Sequence, residues 1–206
     1  MPELFAEETS QAFAEADKIA IKAITTSHLA LTLYRKSPTI RYIMATFGIN
    51  SEDGLRLVLE QVNKGISTII EKPHTPSVKK VVGVAFEKMR EINGKVITPV
   101  LLFWAILQIE NNRVYRYFLE QLREKTHNLI QELLYAFWLE VGSAQCELEF
   151  DDLMKSHHRG WVVYHGTDRV LLTKEEDPGD IPQTLRDKSI DPNECLIASI
   201  RIYQAL

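Results

Sequence analysis

Through most of the first 140 residues, apolar side chains recur at spacings of three and four. Between Glu7 and Ile21, the residues Ala12, Phe13, Ala16, Ile19 and Ala20 form one stripe, which predicts an amphipathic helix. A short bend follows. Thr25 or Thr26 then caps a second helix carrying His28, Leu29, Leu31, Thr32 and Leu33, and Ser37-Pro38 stops it, because the residue before proline avoids the helical region. "TIRYIMATF" predicts a third helix ended by Gly48 as a left-handed C′ residue, and Ser51 caps a fourth, "EDGLRLVLEQVNKGISTIIE", which stops at Pro73. Thr75-Pro76 and Thr98-Pro99 open two more helices with the same device, a cap followed by proline at the first helical position. From Arg113 to about Glu140 there is no Pro or Gly, and Val114, Tyr117, Phe118, Leu122, Leu129, Leu133, Leu134 and Phe137 keep helical spacing. This is one long helix or two with a bend near Thr126-His127.

The pattern changes after residue 140. Gly142-Ser143 reads as the opening of a different unit. Trp161–Tyr164 and Val170–Leu172 face each other across His165-Gly166-Thr167-Asp168, as in a hairpin. "KEEDPGDIP" predicts a loop, "QTLRDKSI" a short helix, and the alternation in "CLIASIRIYQAL" a third strand.

The helical part repeats itself. At an offset of 73 residues, "QAFAEADKIAIKAITTSHL" lies over "VAFEKMREINGKVITPVLL" with identities at Ala12/Ala85, Phe13/Phe86, Ile19/Ile92, Lys22/Lys95, Ile24/Ile97, Thr25/Thr98 and Leu29/Leu102. An ungapped match of this density points to a tandem duplication whose apolar matches fill the same core seats in two copies, about 3–73 and 74–140.

Several of these stretches resemble a known family. "ITTSHLALTL" is similar to the I-G-T-E-H-L-L-L-A-L-L signature of the Clp N-terminal repeat domain, which precedes the ATPase rings of Clp/Hsp100 unfoldases. Phe5-Ala6-Glu7-Glu8 resembles the F-T-E-E-A that opens the family's first repeat, "YIMATFGIN" its A-x-x-V-L-x-x-L-G-V-D, and "HTPSVKKVVGVAFEKMREI" its second-repeat opener. The resemblance covers roughly residues 3–125. It implies a mostly α fold for residues 1–140: two tandem four-helix Clp-N-like repeats with pseudo-twofold symmetry. A small α+β unit with a three-stranded antiparallel sheet is expected over 141–206. The resemblance also implies protein binding. Where the family often carries an acid that grips client proteins, this chain has Ser27 and Val100, neither of them charged. There is no Walker motif: the single Gly-Lys pair, Gly94-Lys95, is followed by Val96. The expectation is a free-standing Clp-N-like protein without ATPase modules.

Composition narrows the function classes. At 206 residues, 45% hydrophobic and 25% charged, the chain can bury a core. No apolar run approaches the roughly 20 residues that span a bilayer, and the acidic start lacks the basic region of a signal peptide, so a cytoplasmic or organellar soluble setting without a membrane partner is expected. Residues 141–206 hold seven Lys/Arg against twelve Asp/Glu, and residues 1–140 hold seventeen against sixteen. Neither part has the basic surplus of a nucleic-acid binder.

Candidate chemistry is sparse. Cys146 and Cys195 read as buried thiols, and without a C-x-x-C pair they form neither a zinc nor a thioredoxin motif. His28 reads as a packed, hydrogen-bonded histidine. His157 and His158 are adjacent and point about 100° apart on a helix or to opposite faces of a strand, so they do not chelate together. Cys146 with His157, His165 or Asp168 is the only nucleophile–base combination to weigh, and no elbow motif accompanies it. No metal, cofactor or catalytic residue is expected. The segment "NNRVYRYF" is rich in the residue types that interfaces favour, which makes Tyr115 and Arg116 candidate contacts beside Ser27 and Val100. The expected function is a non-enzymatic protein- or peptide-binding module: an accessory, adaptor or regulatory subunit whose partner is a Clp ATPase/protease component, its client, or another protein assembly. The alternatives are a structural subunit that forms a homodimer through the hairpin edge and, last, a small enzyme with its site in the C-terminal unit.

Overall fold

Side-chain caps set where four helices of the first 134 residues begin. In the computed structural model, which describes residues 4–21, 23–65, 75–156, 159–173 and 178–201, eight α-helices run in order before the first strand. They are α1 (Glu7–Ile19), α2 (Thr26–Lys36), α3 (Pro38–Thr46), α4 (Asp53–Gly65), α5 (Pro76–Glu91), α6 (Pro99–Leu107), α7 (Arg113–Leu122) and α8 (Lys125–Ser156). The hydroxyls of Thr25, Ser37 and Thr98 and the amide oxygen of Asn112 accept from the N–H groups of His28, Ile40, Leu101 and Tyr115, each three residues on. Gly48 takes φ +83° at the end of α3, and the N–H groups of Gly48 and Ile49 close onto the carbonyls of Ala45 and Met44. The stretch expected between Arg113 and Glu140 breaks at Arg123, whose φ of +51° ends α7. The fourth helix is described only as far as Gly65, and its expected continuation toward Glu71 lies outside the described residues.

Two units divide the chain: residues 1–91 with 95–134, and 92–94 with 135–206. In the first, the packing is that of a duplication with a twofold. α1 packs on α2 and also touches α6; α5 packs on α6 and also touches α2. α3 reaches α6, and α7 reaches α2. α2 and α6 are therefore the centre. Every residue of α2 from Thr26 to Tyr34 is buried, as is every residue of α6 except the half-buried Trp104. Among the described residues, three backbone bonds cross between the repeats, one of them from the N–H of Ile97 to the carbonyl of Leu4 at 2.9 Å. The N–H of Ala6 donates to the carbonyl of Ile97, and the N–H of Thr75 donates to the carbonyl of Ile24, both at 3.1 Å. Each repeat thus ties the entry of its first helix to the loop before the other's second helix. The Thr9 hydroxyl also donates to the Ile97 carbonyl, at 2.9 Å. On the surface, Arg35 grips both oxygens of Glu52 at 2.7 and 2.9 Å and reaches Glu15 at 3.1 Å. That hydrogen bonding holds the Glu52 carboxyl below its ordinary range.

The second unit is a small three-layer arrangement. β1 (Arg159–His165) is central, with β2 (Asp168–Thr173) and β3 (Cys195–Arg201) antiparallel on either side. β1 and β2 are joined by the turn Gly166-Thr167, where Gly166 takes φ +59°. Because side chains alternate, Val162 and Tyr164 meet Leu153 and Cys146 of α8 on one face. Val163 and Cys195 meet Ile181 and Leu185 of α9 (Ile181–Asp187) on the other. A bulge between Val163 and Tyr164 lets Val170 join this second cluster. The expected extension of β3 toward Leu206 lies outside the described residues.

Gly142 does not open the unit. α8 runs through it unbroken. A Cβ at Gly142 would lie 2.8 Å from the Cβ of Leu196 and 3.4 Å from that of Tyr164. Glycine stands there so that the sheet can approach the helix, not as a linker. Gly142→Ala is therefore expected to destabilise by about 1–3 kcal/mol through overpacking, although alanine is the better helix former by about 1 kcal/mol. Gly83, inside α5, has nothing within 4 Å of its would-be Cβ, so Gly83→Ala is expected to stabilise by about 0.5–1 kcal/mol. Urea melts of the two variants check the opposite signs.

Candidate functional groove

The two outer helices of the twofold, α1 and α5, lean on the central pair but not closely on each other, and a groove remains between them. It is lined by Phe5, Ser10 and Phe13 from the first repeat and by Val78, Lys79 and Val82 from the second, with a volume of about 510 Å³. Phe5, held at the entry of α1 by the crossing bonds, lays its ring against Phe13 at 5.2 Å. On α5, Val78 and Val82 are one turn apart and share a face. A shallower depression lined by Leu4, Phe5, Glu7 and Ser10 adjoins the groove. Phe86, one turn beyond Val82, is 37% exposed and lies under the Arg90 guanidinium at 5.9 Å. A concave apolar surface with few polar groups is the form that takes an apolar side chain or segment.

The residues singled out from sequence lie elsewhere. Ser27 is 2% exposed and Val100 is not exposed at all. Both occupy the first turns of helices that the fold buries on all sides, so the expectation that they meet a partner is corrected: they are core positions. Tyr115 is half-buried and Arg116 exposed on α7, and the groove lining includes neither. The groove did leave a trace in the repeat. Ala12/Ala85, Ile24/Ile97 and Leu29/Leu102 are buried pairs, as expected. Phe13/Phe86 is not: Phe13 is half-buried, and Phe86 is exposed. A large apolar residue kept on the surface of both copies is the signal that the core-seat reading passed over.

The candidate chemical residues are separated and packed. Cys146 and Cys195 are free and belong to clusters on opposite faces of the sheet. Burial raises the Cys146 thiol, helped by Glu149 and Glu147. Burial, with Glu194 and Asp191, pushes Cys195 up to about 11. Both thiols are therefore held protonated, which is the wrong direction for a nucleophile. His165 is engaged in structure, stacked on Trp138 at 4.3 Å and paired with Glu194 at 3.2 Å. His157 and His158 lie outside the described residues. Among the described residues, no group of three His, Cys, Asp or Glu side chains is placed to hold a metal ion.

His28 is 1% exposed. Its Nδ1 accepts from the Thr25 N–H at 3.2 Å and lies 2.8 Å from the Thr25 hydroxyl, completing a capping box, while Nε2 is buried with no hydrogen-bond partner among the described residues. Burial lowers its pKa, so the folded state keeps the ring neutral where the unfolded chain takes up a proton. Stability from this residue is then complete above about pH 6.5 and falls as the pH drops below that unfolded value. His28→Leu, which copies Leu101 of the second repeat, is expected to be less stable at pH 8 but to show a flatter loss between pH 7 and 5. Thermal melts of variant and wild type across that range measure the difference.

No protein-family model matches the sequence, and no curated protein matches it. Among solved structures, the N-terminal domain of the caseinolytic protease associated chaperone ClpD from Arabidopsis thaliana is similar. The TM-score is 0.51 and the identity 19%, covering 65% of this chain and 94% of that one. The likeness establishes the fold: the chain carries a Clp-N-type double helical repeat, with the three-stranded unit after it. Among the described residues, no helix is long and apolar enough to cross a membrane.

Proposed function

We propose that this protein is a non-catalytic binding module that captures an apolar segment of another polypeptide in the groove between α1 and α5. The observation that carries the reading is the groove itself: Phe5, Phe13, Val78 and Val82 line a concavity of about 510 Å³, and folded chains rarely leave such surface without a use. Two further facts support it. The similar domain belongs to a chaperone that is associated with a protease, and both thiols are tuned away from nucleophilic chemistry. On this reading the chain acts as an adaptor or regulatory subunit, bringing a client or a Clp component to a protein-quality-control assembly.

A second reading is favoured by one observation. In the order β2-β1-β3, the outer edge of β3 pairs with no strand among the described residues, whereas the bulged β2 has its Val170 carbonyl taken by Lys188 at 3.2 Å. A second copy adding to β3 would give a homodimer, and light scattering that shows a monomer across a hundredfold concentration range rules it out.

Ser10 is exposed on α1 and lines the groove, so Ser10→Arg blocks it without touching the core. With a labelled, permanently unfolded lactalbumin as probe, this variant is expected to bind at least tenfold more weakly than wild type, with an unchanged circular dichroism spectrum. Equal binding by the two proteins contradicts the reading.

A further inference from the structure

The groove is apolar apart from one charge. Of its lining residues, Phe5, Phe13, Val78 and Val82 are apolar, Ser10 is neutral, and Lys79 is cationic. Lys79 is exposed, and it has no ion pair among the described residues. Its neighbours one turn away on either side are Thr75, Pro76, Val82 and Gly83, so α5 offers it no carboxylate at helical spacing. This contrasts with Lys88 on the same helix, which reaches Glu91 at 2.7 Å, and with Arg35, Lys36 and Arg56, which share Glu15 and Glu52. Lys80 adds a second exposed cation beside Lys79. Glu7 lines the adjoining depression, not the groove, and takes a hydrogen bond from Gln11 at 3.0 Å.

Length limits the ligand as well. Val78 to Val82 covers about 6 Å along α5, and Ser10 to Phe13 about 4.5 Å along α1. That accommodates one or two large side chains, and it is shorter than the i to i+7 face by which a helical ligand anchors. A lone ammonium on the wall of an apolar seat is incompletely solvated once a ligand covers the groove, and a carboxylate brought in with the ligand restores its partner.

We infer that the groove selects short extended peptide segments in which one or two large apolar residues are followed, within a few positions, by a carboxylate. The apolar side chains fill the seat made by Phe5, Phe13 and Val82, and the carboxylate meets Lys79. This rests on the peptide-binding reading above and adds the charge and length of what is bound. A side-chain acid and a free chain end supply the same group.

The test uses the full chain and labelled dodecapeptides of Gly and Ser that carry Leu-Phe. In one series Leu-Phe is followed two residues later by Asp, Asn or Lys. In the other, Leu-Phe-Ala ends the chain as a free acid or an amide. By fluorescence anisotropy, Asp or the free acid is expected to bind about fivefold more tightly than Asn or the amide, with Lys weakest. Which series shows the larger preference tells a side-chain acid from a chain end. Lys79→Gln is expected to abolish the preference, and Lys79→Glu to turn it toward Lys. Equal binding of Asp, Asn and Lys peptides, still lost in Ser10→Arg, overturns the inference and leaves the groove reading standing. A preference that survives Lys79→Gln overturns the role of Lys79. Failure of every Leu-Phe peptide to bind removes both.

Discussion

The first unit depends on burying two short helices that have no solvent face. α6 reads Pro-Val-Leu-Leu-Phe-Trp-Ala-Ile-Leu, and α2 is buried from Thr26 to Tyr34. Helices apolar or buried all round need cover on every side, and one repeat of four short helices cannot supply it. Two copies can. α1 and α5, α3 and α7, and the crossing bonds from Ala6 to Ile97 and from Thr75 to Ile24 wrap the central pair from both ends. The outer helices pack on the centre, and this is why α1 and α5 leave an apolar groove between them.

Much of this was legible in sequence because it is local. Thr25 and Thr98 announce helix starts through their side chains, Gly48 announces a stop, and the 73-residue offset carries the two caps onto each other; Ser37, read only as part of a stop, also caps α3. The hairpin and the third strand follow from alternation and from Gly166, but the turn is two residues, Gly166-Thr167, where four were expected. What was not legible depends on tertiary approach. Gly142 looks like a boundary until Leu196 is seen beside it. The expectation that Ser27 and Val100 meet a partner comes only from the resemblance in their flanking residues, yet both lie inside. Copy numbering also hides a difference: the residues that open α1 and α5, Glu7 and Pro76, are 69 apart, not 73, so α5 begins about one turn earlier than the repeat predicts. That extra turn carries Val78 and Lys79, two of the six groove residues, which at the 73-residue offset face Phe5 and Ala6, ahead of α1.

The chain thus carries a Clp-N-type fold with uncharged residues at positions 27 and 100. Ser27 and Val100 are sealed in the core, and what remains accessible on the twofold is an apolar seat with a cation on its wall. On the proposed reading, that surface would bury apolar side chains and orient them by one charge. The C-terminal unit, with its sheet held between α8 and α9, brings its own core clusters and an outer β3 edge.

The most direct test of the groove is a methyl-labelled NMR titration of the intact chain with an unfolded apolar polypeptide. The expected result is that the methyl signals of Val78 and Val82 shift or broaden first, while those of Val162, Val163 and Val170 in the sheet stay in place. Perturbation of the sheet methyls with Val78 and Val82 unmoved would contradict it.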